Sequence, residues 1–146
     1  MTAPLSFRSG VSGRAVIIAD EGDSIWAYLT ESGTIRPERD CWLFNKPTAA
    51  NDPDLEQYRA ASLPPPAPAS VIDAAGVIDA PQAAHWSVRW SDDGTAAVVA
   101  LDGVDIGVMA MAEPRGMSRH LREAGPWGRS WDAQFVERLG LRPTET

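Results

Sequence analysis

The strongest structural pattern in the chain is HWSVRWSDDGTAAVVALDGVDIGVMAMA, which spans residues 85–112. Trp86, Val88 and Trp90 alternate with polar residues, as they do in a strand with one buried face. The Asp-Gly pair at 102–103 is typical of a type I′ hairpin turn, in which both central residues need a positive φ. The pattern therefore predicts a three-stranded antiparallel meander.

The apolar side chains of this meander are expected to form the core. Alternation in its last strand places Ile106, Val108 and Ala110 on one face. We interpret Trp86 and Trp90 as core side chains rather than as an aromatic platform for a ligand, because they share the apolar face of their strand.

A similar hairpin is predicted in the first half of the chain. Residues 15–19 are the first strand, Glu-Gly at 21–22 is the turn, and residues 25–29 are the partner strand. The second strand has two apolar faces, which are Ile25, Ala27 and Leu29 on one side and Trp26 and Tyr28 on the other. Such a hairpin needs cover on both sides. A third strand is expected at 41–44, after the turn-rich residues 32–40.

The two hairpins align without a gap. Residues 13–22 match residues 94–103, and Ile25 then aligns with Ile106. Internal repeats reveal architecture, so this match suggests a duplicated β-unit. The alternative is that any two apolar hairpins with an acidic residue and a glycine in the turn look alike.

Helical signals lie outside these hairpins. Asp52 and Pro53 are typical of a helix start, and that helix must end before Pro64. A C-terminal helix is expected between a Ser130 cap and Gly140, with Asp132 in its first turn. The apolar stripe of this helix should dock on a sheet and consists of Trp131, Phe135, Val136 and Leu139. A further short helix is predicted at residues 118–124.

These elements predict an α+β fold, with mainly antiparallel sheets and short helices packed on them. We expect one domain over residues 1–146, with sub-units at 10–48 and 84–142 joined by a proline-rich crossing segment at 62–82. Residues 63–69 should adopt polyproline II geometry. Although Pro65 to Pro68 fits P-x-x-P, we interpret it as a linker, because prolines alone do not make a recognition motif.

The composition narrows the classes of function. The formal net charge is −7 and the pI is about 4.7, which argues against binding to nucleic acid or to an anionic membrane. Any protein partner of such a chain is expected to be basic. Arginine is common whereas Lys46 is the only lysine, a bias typical of a GC-rich bacterial genome.

The single cysteine and the N-terminus bear on location. Cys41 cannot form an internal disulfide, and its neighbour Asp40 disfavours a reactive thiolate, so we expect a buried structural thiol. The first residues lack a basic stretch followed by an apolar one, and no apolar run approaches the length of a membrane span. A cytoplasmic protein is the simplest expectation.

No motif for an enzyme, a cofactor or a metal stands out. The chain lacks G-x-S-x-G, a phosphate-binding loop, H-E-x-x-H and G-x-G-x-x-G. The spacing of His85 and His120 does not support a metal site. The acidic turns at 20–23 and 102–105 do not match the calcium loop of helix–loop–helix proteins, and they are interpreted as plain turns that could form an acidic patch. We expect no cofactor and no metal.

The most site-like segment is RGMSRH at 115–120, continued by GPWGR at 125–129. Its candidate residues for an anionic ligand are Arg115, Ser118, Arg119, His120 and Trp127. Arginine binds carboxylate or phosphate in a bidentate manner. The alternative is an ordinary loop with solvated arginines. A Ser–His catalytic pair is disfavoured, because two residues of separation on a helix would point the side chains apart.

Two hypotheses for function follow. The first is a non-catalytic binding protein, such as an inhibitor or immunity-type protein, that covers a basic protein partner. The second is a small enzyme or anion-binding protein with a pocket around Arg115, Arg119, His120 and Trp127. A homodimer is also plausible, because sheets with two apolar faces gain cover by pairing.

Overall fold

The computed structural model describes residues 3–79 and 85–141. The architecture is α+β and mainly β, with two antiparallel-rich sheets, as the sequence predicts. Residues 80–82 of the predicted crossing segment, and the outermost residues of the predicted sub-unit at 84–142, lie outside the described residues. No helix in the described ranges is long and apolar enough to cross a membrane.

The first sheet has four antiparallel strands in chain order: β1 (Leu5–Arg8), β2 (Ala15–Asp20), β3 (Ser24–Thr30) and β4 (Pro37–Asn45). The β2–β3 hairpin is the one predicted from the sequence. Its two apolar faces are confirmed, because Ile25, Ala27 and Leu29 join the central core while Trp26 and Tyr28 pack in a separate cluster. Strand β1 was not predicted from the sequence. Strand β4 begins four residues earlier than the strand predicted at 41–44.

The second sheet has five strands: β5 (Trp86–Trp90), β6 (Ala96–Leu101), β7 (Val104–Ala110), β8 (Met117–Ser118) and β9 (Arg129–Ser130). Strands β5 to β7 form the predicted meander. Asp102 and Gly103 both have a positive φ, at 52° and 77°, as a type I′ turn requires. Strand β9 pairs in parallel with β8, whereas the other neighbours in this sheet are antiparallel.

A β-bulge corrects one predicted face. Val99 pairs with Gly107 but Ala100 pairs with Asp105, so Ile106 is the extra residue of β7. Because a bulge resets the alternation, Ile106 joins the central core while Val108 lies in a different cluster. The prediction that these two side chains share a face is therefore wrong.

The two sheets pack face to face around one core that takes side chains from both. Phe44 of β4 stacks on Trp86 of β5 with ring centroids 6.0 Å apart. The sheets approach closely where a Cβ on Gly107 would clash with Leu43. Strands β2 and β6, which contain the matching sequences, hold the same second position in their sheets.

Each sheet also has a covered outer face. The first sheet is covered by residues 63–73, which we call the strap, together with Leu121 and Trp127. The strap contains one short 3-10 helix, Ala69–Val71, and leads into a second, Ala74–Gly76. The second sheet is covered by the C-terminal helix, α2 (Ala133–Arg138). Its stripe docks on Val98, Val108 and Met117, as predicted.

Both predicted helix starts shift by two residues. The first helix, α1 (Leu55–Ala60), is capped by Asp54 rather than Asp52, and α2 is capped by Asp132 rather than Ser130. In each case the aspartate side chain accepts hydrogen bonds from the backbone N–H groups of the first turn. Ser130 instead belongs to β9.

The helix predicted at 118–124 is absent, because the backbone of this segment bonds to other segments. Arg119 N donates to the carbonyl of Ile106, and Arg122 N donates to the carbonyl of Val71. Asp73 N donates in turn to the carbonyl of His120. The segment thus links the strap to the second sheet.

Candidate functional site

The five predicted site residues lie on β8 and in the two connections that flank it. Arg115 precedes β8, Ser118 belongs to it, and the other three lie between β8 and β9. Ser118 is 1% exposed, and its Oγ has no hydrogen-bond partner among the described residues. Arg119 is directed toward Trp131, with its guanidinium carbon 4.3 Å from the centroid of the indole ring. Its Nε donates to the carbonyl of Asp105. The cation–π contact and this hydrogen bond occupy Arg119 within the protein.

The other three residues contact the strap or the connection between β8 and β9. His120 Nδ1 lies 3.1 Å from Asp73 Oδ1, and Trp127 Nε1 donates to the carbonyl of Pro65 at 3.1 Å. Arg115 Nη1 donates to the carbonyl of Gly125 at 3.0 Å. The structure therefore brings His120 and Trp127 to the strap, whereas Arg119 packs on Trp131, which precedes α2.

A surface hollow of about 130 Å³ lies beside Trp127. It is lined by Val71, Leu121, Glu123, Ala124, Gly125, Pro126 and Trp127. Of the predicted site residues only Trp127 lines it, and Glu123 is the one charged residue of the lining. Because a carboxylate repels an anion, this hollow does not suit the predicted anionic ligand.

The strap is held by a polar contact that the sequence analysis missed. Asn45 Oδ1 accepts from Trp42 Nε1 at 2.9 Å and from Ala67 N at 3.0 Å, while Asn45 Nδ2 donates to the carbonyl of Ala67 at 2.7 Å. Asn45 is only 2% exposed. The sequence did hold one signal for this contact, because Asn45 directly follows the apolar run 41–44. An amide buried with that run needs hydrogen-bond partners.

The aligned sheets give the molecule two distinct ends. At one, which we call the loop end, residues 9–14, 31–36 and 91–95 meet. Gly33 N donates to the carbonyl of Gly13 at 2.9 Å, and a Cβ on Gly94 would lie 2.5 Å from Ser12 Oγ.

The β2–β3 and β6–β7 turns lie at the other end, which we call the hairpin end. The Phe44–Trp86 stack joins them, because Phe44 pairs with Ile25 and Trp86 pairs with Leu101 next to these turns. Helix α1 belongs to the hairpin end, since Tyr58 donates to Asp23 Oδ2 at 2.5 Å.

The hairpin end is predominantly acidic. Its acidic residues belong to the two turns and their strands, to α1 and the residues before it, and to the residue after Ile78, whose N–H bonds to Asn45. They are Asp20, Glu21, Asp23, Asp52, Asp54, Glu56, Asp79, Asp102 and Asp105. The cations at this end are Lys46, Arg59, Arg89 and Arg119. Lys46 Nζ lies 3.0 Å from Asp20 Oδ2, and Arg89 pairs with Asp105. The acidic turns of the two sheets thus lie at one end, as the predicted acidic patch requires.

Hydrogen bonds stabilise the ionised form of the Asp23 carboxyl group in the β2–β3 turn. Tyr58 and Thr48 both donate to Asp23, and these bonds lower the pKa of its carboxyl group below the ordinary value of 3.8. Partial burial and the bond to this carboxylate raise the pKa of Tyr58 to about 12. Asp23 is therefore ionised, and Tyr58 neutral, throughout the physiological range.

Exposed aliphatic side chains occur among these carboxylates. Leu55, Val77 and Val104 are 43%, 47% and 52% exposed. Leu55 lies between Asp54 and Glu56, and Val104 lies between the turn and Asp105. The hairpin end therefore combines apolar contact area with surrounding negative charge.

The remaining candidates for chemistry are not supported by the described residues. No group of three or more His, Cys, Asp or Glu side chains in ranges 3–79 and 85–141 could hold a metal ion. Burial raises the pKa of the Cys41 thiol to about 12, and its Sγ donates to the carbonyl of Met117 at 3.1 Å. The prediction that Cys41 is buried is confirmed.

Comparison with known proteins gives no family for this chain. No family model matches it, and neither the curated proteins nor the solved structures contain a match. Its function is therefore argued from its own surface.

Proposed function

We propose that this chain is a non-catalytic binding protein whose hairpin end covers a basic surface on a protein partner. The observation that carries the proposal is the combination, at one end, of exposed Leu55, Val77 and Val104 with a majority of carboxylates. An apolar centre with a polar rim is the usual anatomy of a protein–protein interface. An inhibitor or immunity-type role fits this surface.

Charge would set the choice of partner. A negative surface attracts a basic partner during diffusion and disfavours acidic competitors. Several hairpin-end carboxylates are exposed, among them Asp52, Asp54 and Asp79. Because exposed charges are screened by salt, binding through them should weaken as ionic strength rises.

The loop end supports a specific interface less well. Its Val11 and Ile35 are even more exposed, at 64% and 75%. Arginine and glutamate alternate around them and pair, for example Arg14 with Glu38 and Arg36 with Glu31. This end has no dominant sign of charge with which to select a basic partner.

The alternative of an anion-binding pocket draws less support. It needs Arg115 and Arg119 to converge, yet Arg115 bonds to Gly125 and Arg119 stacks on Trp131. A reducing compartment such as the cytoplasm suits the proposal, because the single Cys41 cannot form an internal disulfide.

The proposed binding surface does not require a homodimer. The outer apolar faces from which a dimer was predicted are covered within the chain, one by the strap and one by α2. Light scattering in solution would test the dimer directly, and a monomer is compatible with the proposed binding surface.

The test is co-purification from the native host at low and high salt. We expect one basic protein to be recovered, with less recovered at high salt. The double variant Asp52→Lys with Asp79→Lys should lose this partner. The matched control Glu31→Lys with Glu137→Lys changes the net charge equally but lies away from the hairpin end, and it should retain the partner. The proposal would be contradicted if the amount of partner recovered did not depend on salt, or if both double variants lost the partner equally.

A further inference from the structure

We propose that the hollow beside Trp127 binds a proline-rich segment of another polypeptide. This surface is distinct from the hairpin end, and the inference does not rest on the proposed function. The inference starts from the strap, which is a proline-rich segment already bound to this part of the molecule.

The strap shows how this face recognises such a segment. Pro68 has φ −62° and ψ 145°, the geometry of polyproline II. A polyproline II segment makes no internal hydrogen bonds, so its carbonyl groups are free to accept from side chains. Trp127 Nε1 donates to the carbonyl of Pro65, and Asn45 binds both backbone groups of Ala67. An indole N–H and aromatic surface around a proline-rich chain is a recurring mode of peptide recognition.

The hollow lies at the edge of this surface and shares Val71 with the strap. Trp127 contributes to both the surface and the hollow, and Leu121 belongs to the cluster that also contains the strap residues Ala67 and Ile72. The volume of about 130 Å³ is close to the roughly 150 Å³ of a cavity that accepts one benzene ring. The hollow therefore has room for a single ring, such as the side chain of one proline.

The lining defines the chemistry of the residue next to that proline. Pro126, Trp127 and Val71 supply apolar walls, and Glu123 supplies the charge. A carboxylate at the rim favours an arginine or lysine beside the inserted proline. The expected ligand is thus a proline-rich segment with an adjacent basic residue.

Three synthetic peptides test this inference on the intact protein. The first has the strap sequence LPPPAPA followed by arginine, the second ends in glutamate instead, and the third replaces every proline by alanine. Binding is followed by NMR through the indole N–H signal of Trp127. We expect the arginine peptide to bind best and the alanine peptide not to bind. Equal binding of the proline and alanine peptides would overturn the inference.

Matched variants locate the binding. Ala124→Phe should fill the hollow and weaken the arginine peptide by about thirtyfold, the loss typical of blocking a central contact. Ala50→Phe, which alters an equally exposed alanine elsewhere, should leave binding unchanged. Glu123→Gln should weaken binding of the arginine peptide by about two- to fivefold, as expected for the loss of an exposed ion pair. The same variant should not weaken binding of the glutamate peptide.

A displacement control separates the hollow from the strap. If the peptide entered by displacing the strap, the side-chain amide signals of Asn45 would shift, because Asn45 binds Ala67. We expect these signals to stay in place. Their movement, or binding unaffected by Ala124→Phe, would contradict binding in the hollow.

Discussion

The two ends of the sandwich are built from similar turns but present different surfaces. Both have glycines with a positive φ, such as Gly94 at the loop end and Gly103 at the hairpin end. Both also expose aliphatic side chains. The carboxylates, however, dominate only the hairpin end. The comparison teaches that backbone and core define both ends, whereas charge distinguishes the end that we propose to bind a partner.

The ends also differ in how tightly their segments meet. At the loop end, the β5–β6 turn touches the β1–β2 connection so closely that a Cβ on Gly94 would lie 2.5 Å from Ser12 Oγ. At the hairpin end, nothing lies within 4 Å of a Cβ built on Gly103. Its turns are joined from within the core, by Phe44 and Trp86.

The largest expected effect on stability comes from removing the Phe44–Trp86 stack. Phe44 is fully buried, so Phe44→Ala should lower the free energy of unfolding by about 3–5 kcal/mol. Urea denaturation measures the loss. Hydrogen exchange should then show weaker protection at residues 21–25 and 101–104 than at the loop end. Equal loss of protection at both ends would show that Phe44 does not join the hairpin end specifically.

A pair of glycine substitutions compares the ends directly. Gly94→Ala should cost about 2–4 kcal/mol, because the left-handed φ is strained and the new Cβ clashes with Ser12. Gly103→Ala should cost only about 1–2 kcal/mol, because it has the same strain without the clash. Thermal or urea unfolding of both variants gives the comparison. A larger cost at Gly103 would contradict the packing described for the loop end.

Acid should act on both ends alike. Hydrogen bonds lower the pKa of Asp23 at the hairpin end and of Asp93 at the loop end. A carboxyl group with a lowered folded pKa stabilises the protein above its unfolded pKa, and this contribution is lost as the pH falls through the folded pKa.

We therefore expect Asp23→Asn and Asp93→Asn to be less stable than the original chain at pH 7. The differences should shrink as the pH falls below the ordinary value of 3.8. Stability measured between pH 7 and pH 2 tests this, with Asp52→Asn as the exposed control. Differences that stay constant over that range would contradict the role of these charged turns.

The smallest expected effects on stability come from the exposed aliphatic residues. Val104→Ser and Ile35→Ser should each change the free energy of unfolding by less than about 0.5 kcal/mol, because both side chains are mostly exposed. Only Val104→Ser should weaken binding to the co-purified partner, which a titration would measure. Weaker binding of Ile35→Ser alone would move the interface to the loop end.

Local patterns were sufficient to predict much of the fold. Alternation at Trp86 to Trp90 and the Asp102-Gly103 turn are effects between neighbours in sequence, so the meander could be predicted. The docking of Phe135 and Leu139 follows from helical periodicity in the same way.

The rest depends on distant contacts. The bulge at Ile106 arises from pairing between two strands, and it leaves no signal in the alternation of β7 itself. Segment 118–124 has the polar and apolar residues of a short helix, but its backbone bonds to β7 and to the strap. Local propensity loses to such tertiary contacts.

The candidate site was less predictable for the same reason. The sequence placed Arg119 and His120 in one pocket because they are adjacent. Arg119 and His120 are instead the two central residues of a turn, in which Leu121 N donates to the carbonyl of Ser118. Their side chains diverge there, so that Arg119 reaches Trp131 and His120 reaches Asp73. The acidic turns at 20–23 and 102–105 could be identified as an acidic patch, but their common end required the packing of the two sheets.

The distance between spin labels tests most directly whether the acidic turns and their aliphatic residues share one end. Labels would be attached to Val104→Cys with Leu55→Cys, and to Val104→Cys with Ile35→Cys, while the buried Cys41 stays unlabelled. The first pair should be closer than the second by at least about 10 Å, half the length of a seven-residue strand. Equal distances, or a shorter distance from Val104 to Ile35, would contradict a single acidic hairpin end.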